Sequence, residues 1–173
     1  MHTIAITGHR PKYFGTGRDA YDERNNDLII DTKRSIEQTV EILITQMNTK
    51  RFIVGMALGV DTWAAEAVLG FQKKYPHVEL IAAVPCEQYD EKWPESARLR
   101  YRHILKQANK RVLVSKGEYT STCLSKRNQW MVNHADGVLA VWNGDERTGT
   151  GATIAYAKQE GKPVQVVRVK TIA

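Results

Sequence analysis

The stretch "RFIVGMALGVDTWAAEAVLGF" (51–71) decides how this chain is interpreted. It begins with a mostly apolar run, RFIV, which is typical of a buried strand. Further on, Ala64, Ala67 and Val68 recur at helical spacing. Gly55 and Gly59 stand between the two patterns, where a glycine lets the chain turn without crowding by a Cβ. The stretch therefore predicts a strand, a glycine-rich turn and a helix, and suggests a ligand that approaches the backbone of the turn.

The same alternation of strand and helix continues along the whole chain. Candidate strands occupy 3–7, 51–54, 78–84, 111–115, 137–142 and 164–169, and helical patterns occupy 27–47, 61–74, 93–108, 124–134 and 151–160. Most strands are continuous apolar runs, which is typical of strands covered on both faces. The sequence predicts an α/β protein with a doubly wound, mostly parallel sheet of about six strands and helices on both faces. No linker or repeat divides 1–173, so we expect one domain.

Composition is that of an ordinary globular protein, with 42% hydrophobic and 25% charged residues. No apolar run reaches the ~18–20 residues that cross a bilayer, and "MHTIAITGHRP" lacks the features of a secretory signal. Cys86 and Cys123 have neither metal-site spacing nor a disulfide pattern. We expect a cytoplasmic protein with no membrane segment, no metal and no cofactor.

The formal net charge of +6 is carried by residues 87–173. Within that half, the segment 96–117 contains seven Lys and Arg residues and no acid. Such a segment could attract phosphates or nucleic acid. It is also typical of the solvated face of an amphipathic helix, which is the commoner case.

Ligands of doubly wound sheets bind beyond the carboxyl ends of the strands, so the loops after the strands are the candidate site. The first loop is "TGHRP" (7–11), in which Gly8 permits a sharp turn and His9 and Arg10 follow the strand. A guanidinium matches the geometry of phosphate or carboxylate. The alternative is an ordinary turn with a surface arginine.

The second loop is "GMALGVD" (55–61), which includes Met56 and ends at Asp61. It matches neither the GxGxxG nor the GxxxxGK[ST] pattern. Asp61 is expected as the N-cap or a first-turn residue of the following helix, and the alternative is an acceptor for ribose hydroxyls. Glu66, five residues further on, is either a buried partner for an arginine or a solvated residue.

The third loop contains "TGTG" (148–151) and opens a helix. Backbone N–H groups of that first turn can cradle a phosphate without a lysine. We expect Gly149, Thr150, Gly151 and Thr153 to contribute, the alternative being a flexible turn. The preceding helical segment, "CLSKRNQWMVN" (123–133), carries Arg127 with Asn128 beside it, and on its own it is only amphipathic.

Three motifs in this order, "TGHRP", "LGVDTWAAEA" and "KRNQWMVNHADG", resemble the SLOG superfamily. This Rossmann-like group contains the DprA/Smf DNA-processing proteins and the LOG phosphoribohydrolases, and the similarity is greatest to its YpsA-like branch. The resemblance implies a nucleotide or a nucleotide derivative in the groove at the strand ends.

LOG enzymes hydrolyse the N-glycosidic bond of nucleoside monophosphates, with a signature Arg and a catalytic Glu. Arg127 matches that Arg, with Asn128 at the position of the family's Lys. The Glu has no counterpart, because Ala152 and Thr153 stand where it is expected. We therefore expect phosphate binding without LOG-type hydrolysis, unless Asp61 or Glu66 replaces the missing acid.

Three functions remain open after this comparison. The first is binding, sensing or sequestering a nucleotide-derived ligand. The alternatives are LOG-type hydrolysis, with Arg127, Asp61 and Glu66 as candidate catalytic residues, and nucleic-acid binding in the manner of DprA. The sequence also leaves open whether the chain forms a homodimer.

Overall fold

The computed structural model describes residues 2–172, which form one six-stranded parallel sheet with helices on both faces. The strands are β1 (Thr3–Gly8), β2 (Arg51–Val54), β3 (Glu79–Val84), β4 (Lys110–Leu113), β5 (Gly137–Trp142) and β6 (Val164–Arg168). The helices are α1 (Asp27–Gln46), α2 (Val60–Phe71), α3 (Glu95–Gln107), α4 (Cys123–Asn133) and α5 (Gly149–Gln159). The predicted α/β, Rossmann-like fold is confirmed.

The strand order is β4-β3-β2-β1-β5-β6, and every neighbouring pair is parallel. The order therefore reverses at β1, which pairs with β2 on one side and with β5 on the other. Gly8 at the end of β1 is level with Val141 of β5. A crevice opens where the loops after these two strands diverge, and it is the usual ligand position in such sheets.

Consecutive residues of the central strands point to opposite faces and enter different cores. On one face, Ile6 and Phe52 pack with α1 and α2 in the larger hydrophobic cluster. On the other face, Ala5 and Ile53 pack with α4 and α5 in the smaller one. An alanine on this second face leaves room for the two helices that lead into the crevice.

The two edge strands are less covered than a continuous apolar run predicts. Leu113 in β4 is 43% exposed and Val166 in β6 is 42% exposed, because each of these strands has a neighbour on one side only. β4 also begins one residue before, and ends two residues before, the predicted range 111–115.

The chain between β1 and α1 is tied to the start of α1 by Asn26. The Asn26 side chain accepts hydrogen bonds from the backbone N–H groups of Leu28 (3.0 Å) and Ile29, and donates to the Phe14 carbonyl at 2.9 Å. Phe14 is buried and packs edge-on against Trp63 of α2. The segment is thereby held over the first turn of α2.

Within the described part of the chain, none of the helices has the length and apolar character needed to cross a membrane.

Candidate functional site

A cavity of about 400 Å³, here called the groove, lies at the crevice between β1 and β5. Its walls come from β1 and the loop after it, from the loop after β2, from one side of α4 and from the first turn of α5. The residues from the sequence-predicted site that line it are Gly8, His9, Arg10, Asp61, Arg127, Asn128, Gly149, Thr150 and Thr153. Three loops that are far apart in sequence therefore meet at one place.

Arg127 projects from α4 and is buried, with 4% of its surface exposed. Its Nη1 donates to the Gly55 carbonyl at the end of β2, and its Nε donates to Asn128 Oδ1 at 2.8 Å. Part of the guanidinium is thus used to join α4 to the loop after β2. The remaining donor capacity borders the groove.

Gly55 lies where an added Cβ would be crowded, as expected from the sequence. A Cβ at this position would lie 2.7 Å from Arg127 Nη1 and 2.9 Å from Asp61 Oδ2. The backbone of Gly55 has an ordinary negative φ, whereas neighbouring Met56 has a φ of 66°. Met56 is buried in the larger core. Gly55 therefore makes room for the side chains of Arg127 and Asp61 beside the end of β2.

Asp61 is the second residue of α2, and the N-cap is Gly59, with a φ of 87°. Of the two positions expected for Asp61, N-cap or first-turn residue, the structure shows the second. Asp61 Oδ2 accepts a hydrogen bond from the Ala57 N–H at 3.1 Å within the preceding loop. Burial raises the pKa of Asp61, although Arg127, the Ala57 bond and Arg10 act in the opposite direction.

His9 joins the loop after β1 to the loop after β5. Its Nε2 accepts a hydrogen bond from the Asn143 N–H at 3.0 Å, and its ring stacks on Tyr13. Because Nε2 is an acceptor, the proton of the neutral ring is on Nδ1. Burial lowers the pKa of His9, with Asn143 and Asp145 opposing the shift, and therefore favours this neutral form. Asn143 has no motif that would have identified it from sequence.

The first turn of α5 provides backbone donors. Thr148 is the N-cap, and its Oγ1 accepts from the Gly151 N–H at 3.0 Å. Gly149 and Thr150 occupy the first two helical positions, whose N–H groups have no partner within the helix. Gly151 does not face the groove, since a Cβ there would lie 2.7 Å from the Glu146 carbonyl oxygen.

The charge around the groove favours an anion. Among the described residues that line it, Arg10, Lys12 and Arg127 are basic, and Asp61 is the one carboxylic acid. That acid has a raised pKa, so its negative charge is disfavoured where it lies. The helix dipole of α5 adds a partial positive charge at the same end.

Glu66 lies outside the groove, in a cluster of charges between α2, α3 and the segment before α1. Its Oε2 accepts from Arg100 Nε at 2.9 Å, and Arg100 Nη2 also donates to Glu23 at 3.0 Å. Of the two alternatives for Glu66, the half-buried arginine partner is correct.

The same contact bears on the basic segment 96–117, to which Arg100 belongs. Arg102 Nε bonds Asp90 at 3.0 Å, and Arg98 lies 3.7 Å from the same carboxylate. Three of the seven basic residues are therefore paired with acids from outside the segment. This arrangement fits the face of an amphipathic helix.

The two cysteines are buried free thiols that lie against each other beside Arg127. Burial and the neighbouring Cys123 raise the pKa of Cys86 to about 11. Cys86 is therefore a protonated thiol at neutral pH and is a poor nucleophile. Across residues 2–172, no three His, Cys, Asp or Glu side chains are grouped so as to hold a metal ion.

Comparison with known proteins finds similarity along almost all of the chain. The model of the YspA SLOG family matches residues 4–172. The SPbeta prophage-derived protein YoqJ of Bacillus subtilis is 31% identical over 145 residues, covering 78% of this chain and 84% of that protein. A UPF0398 protein of Halalkalibacterium halodurans is 27% identical over 169 residues, covering 96% of this chain and 86% of that protein.

Solved structures of two DNA processing proteins share the fold. The Streptococcus pneumoniae protein DprA superimposes with a TM-score of 0.66 at 19% identity over 99% of this chain, and the Helicobacter pylori protein with 0.61 at 20% identity over 95%. This chain spans about half of the first protein's chain (52%) and 64% of the second.

Proposed function

The chain belongs to the YspA SLOG family, and from this membership and the geometry of the groove we propose that it binds a nucleotide or a nucleotide-derived phosphorylated ligand there. One observation carries the proposal: a buried arginine, Arg127, borders the same cavity as Gly149 and Thr150, whose N–H groups have no partner within α5. A buried cation facing backbone donors is a combination suited to a phosphate.

The ligand's parts follow from the chemistry of the walls. The phosphate lies at the first turn of α5, where the N–H groups of Gly149 and Thr150 donate and Arg127 neutralises its charge. The ribose lies toward Asp61, whose carboxyl group can accept hydrogen bonds from two hydroxyls. Arg10 and Lys12 border the open side and add to the attraction of an anion.

Binding without hydrolysis is the form of this function that the groove supports best. Ala152 lines the groove at a position where the LOG resemblance expects the catalytic Glu. A methyl group cannot stabilise the oxocarbenium charge that develops when an N-glycosidic bond breaks. Glu66 is held by Arg100, so hydrolysis by this groove would have to use Asp61.

Nucleic-acid binding is the second candidate, and it rests on relatives and charge. The Helicobacter pylori DNA processing protein A was studied for its single-stranded DNA binding mode, and this chain carries a net charge of +6. The pairing of Arg98, Arg100 and Arg102 with acids weakens the case for the basic segment as a DNA surface. Steep salt dependence of oligonucleotide binding would favour this candidate.

Calorimetric titration with ribose 5-phosphate and with nucleoside monophosphates tests the proposal. Arg127→Lys keeps the charge but loses the guanidinium fork, so we expect it to lower affinity about 10-fold or more. Arg34→Lys, on the exposed outer side of α1, is the matched control and should bind as the parent does. Circular dichroism and urea unfolding check that both variants fold.

Equal affinity of the parent and a folded Arg127→Lys variant would contradict the assigned site. Chromatography of the same mixtures measures release of the free base. Multiple turnovers in that assay would contradict the binding-protein proposal and move the function to LOG-type hydrolysis, for which Asp61→Asn is the next variant to examine.

A further inference from the structure

A second and larger cavity, of about 630 Å³, adjoins the groove. We call it the aromatic pocket, because Tyr89, Trp93 and Tyr119 are among the residues that line it. Arg10, Lys12 and Leu124 line both cavities, so the two share a wall. A molecule bound in the groove can therefore extend past Arg10 into the aromatic pocket.

Aromatic rings packed against one another form the floor of the aromatic pocket. Tyr89 and Trp93 pack edge-to-face with ring centres 5.1 Å apart, and buried Tyr101 lies behind them at 5.2 Å from Trp93. The loop that carries Tyr119 is fixed to the loop after β3, because Glu87 Oε2 accepts from the Gly117 N–H at 2.8 Å. Tyr119 itself is 61% exposed, so its ring is accessible to a ligand.

The two cavities differ in charge, and this difference favours one orientation of a ligand that occupies both. Among the described residues, the groove is lined by three basic side chains and by one carboxylic acid, Asp61. The aromatic pocket has equal numbers of each sign: Arg10, Lys12 and Lys92 against Glu87, Glu91 and Glu118. An anionic end is therefore favoured in the groove, whereas a flat and uncharged end is favoured among the aromatic rings.

Tyr89 connects the two cavities. Its ring lines the aromatic pocket, and its hydroxyl faces the Arg127 guanidinium that borders the groove. A ligand whose phosphate contacts Arg127 therefore has its other end within reach of Tyr89 and Trp93.

We infer that the aromatic pocket receives the base of the nucleotide, so that one ligand spans both cavities with its phosphate in the groove and its base stacked beside Trp93 and Tyr119. This inference rests on the function proposed above. It assigns the base to a position where every nucleobase can present a π-face to an aromatic ring. The exposed carboxylates of Glu91 and Glu118 at the rim favour bases with amino groups, such as adenine and cytosine, which can donate to them.

Tryptophan fluorescence tests the inference with AMP, GMP, CMP and UMP as probes and with ribose 5-phosphate as the base-free probe. We expect AMP to quench the emission of the parent protein. Trp93→Phe should lose most of this quenching while it still binds AMP in calorimetry. Trp130→Phe, whose tryptophan stacks on His134 at the end of α4, is the control and should retain the quenching.

Tyr119→Ala provides a second measurement that does not depend on fluorescence. Loss of one stacking partner should weaken AMP binding about 10-fold or more, with the affinity for ribose 5-phosphate unchanged. If AMP binds while Trp93→Phe keeps the quenching and Tyr119→Ala keeps the AMP affinity of the parent, the aromatic pocket is not the base site. In that case the proposal of a phosphate site in the groove is unaffected. If neither ribose 5-phosphate nor any of the four nucleotides binds, both the inference and the proposed function are wrong.

Discussion

Asp61 is buried at a cost to stability, as is common for a side chain that is placed for binding. Burial raises its pKa above the ordinary value of 3.8, so the fold favours the protonated form. The stability that this group contributes is fully present below pH 3.8 and is lost as the pH rises through the raised pKa.

We expect Asp61→Asn to be more stable than the parent at pH 7, by about 1 kcal/mol. The amide can still accept the Ala57 N–H and carries no charge to desolvate. Urea unfolding at several pH values should show the difference shrinking toward pH 3.8, while calorimetry shows weaker nucleotide binding. Asp31→Asn on exposed α1 is the control. A less stable Asp61→Asn at pH 7 would mean that the ionised carboxylate stabilises the fold.

From the pKa shift of His9 we expect a second pH dependence of folding stability, opposite in sign to that of Asp61. Burial lowers its pKa below 6.5, so the neutral ring that accepts the Asn143 N–H is favoured in the folded state. The stability that the neutral His9 ring contributes is fully present above pH 6.5 and is lost as the pH falls through the lowered pKa. We expect His9→Gln to remove this part of the pH dependence, as followed by thermal unfolding from pH 7.5 to 5. The exposed His77→Gln should behave as the parent, and a His9→Gln profile that still falls like the parent's would contradict the assignment.

The residue scale is also where prediction from sequence reached its limit. Gly8, Gly55 and Arg127 could be singled out, because glycines after a strand and an arginine in a family motif are visible in one sequence. Their partners could not: Asn143 and Tyr89 belong to no local pattern, and they meet His9 and Arg127 only because the sheet brings distant loops together. Asp61 could be placed at the start of α2, but its hydrogen bond from the Ala57 N–H could not be predicted from the sequence.

At the scale of elements, the contact between the end of β1 and the start of α2 sets the shape of the groove. A Cβ on Gly8 would lie 2.6 Å from Val60 Cβ, and Val60 is fully buried. The Val60 N–H also donates to the His9 carbonyl at 3.0 Å. The strand and the helix are therefore as close as a glycine permits.

We expect Gly8→Ala to lower the free energy of unfolding by about 1–3 kcal/mol, because the added methyl group overpacks this contact. Val60→Ala creates space at the same point, so the double variant should lose less stability than the sum of the two single variants. Gly70→Ala, where an added Cβ meets nothing within 4 Å, is the control and should be neutral or slightly stabilising. If the losses of unfolding free energy in the two single variants simply add in the double variant, crowding against Val60 is not the reason for a glycine at position 8.

The elements themselves were predictable because hydrophobic periodicity is a local property of the chain. All six strands and all five helices lie where the pattern placed them, with ends that differ from the predicted ranges by up to three residues, as at the end of α2. The order of strands in the sheet was not predictable in the same way. It depends on which apolar faces α4 and α5 cover, and that is decided by packing between segments more than a hundred residues apart.

At the scale of the whole molecule, a cluster of charges holds three elements together. Arg100 of α3 bonds Glu66 of α2 and Glu23 before α1, and Lys33 of α1 bonds Glu23 at 2.9 Å. Although burial acts in the opposite direction, hydrogen bonds from Arg100 and Lys33 hold the pKa of Glu23 at about 2. The stability from Glu23 is present above its ordinary pKa of 4.5 and is lost as the pH falls from there toward 2.

We therefore expect Glu23→Gln to lower stability at pH 7 and to flatten the loss of stability between pH 4.5 and pH 2. The glutamine keeps the size of the side chain but not the charge that Arg100 and Lys33 require. Urea midpoints measured across this range give the comparison, with the exposed Glu160→Gln as the control. A Glu23→Gln variant that loses stability with acid as steeply as the parent would place the acid-sensitive group elsewhere.

The position of β1 in the middle of the sheet has a consequence for how the protein is made. β1 leaves the ribosome before the other five strands, but its partner β5 begins at Gly137. Until that strand is synthesised, one edge of β1 has no neighbour and is open to pairing with another nascent chain. The half of the sheet from β1 to β4 can assemble earlier, whereas the groove needs both His9 and the first turn of α5. A chain that stops before residue 149 therefore lacks the backbone donors of α5 on which the proposed phosphate site depends.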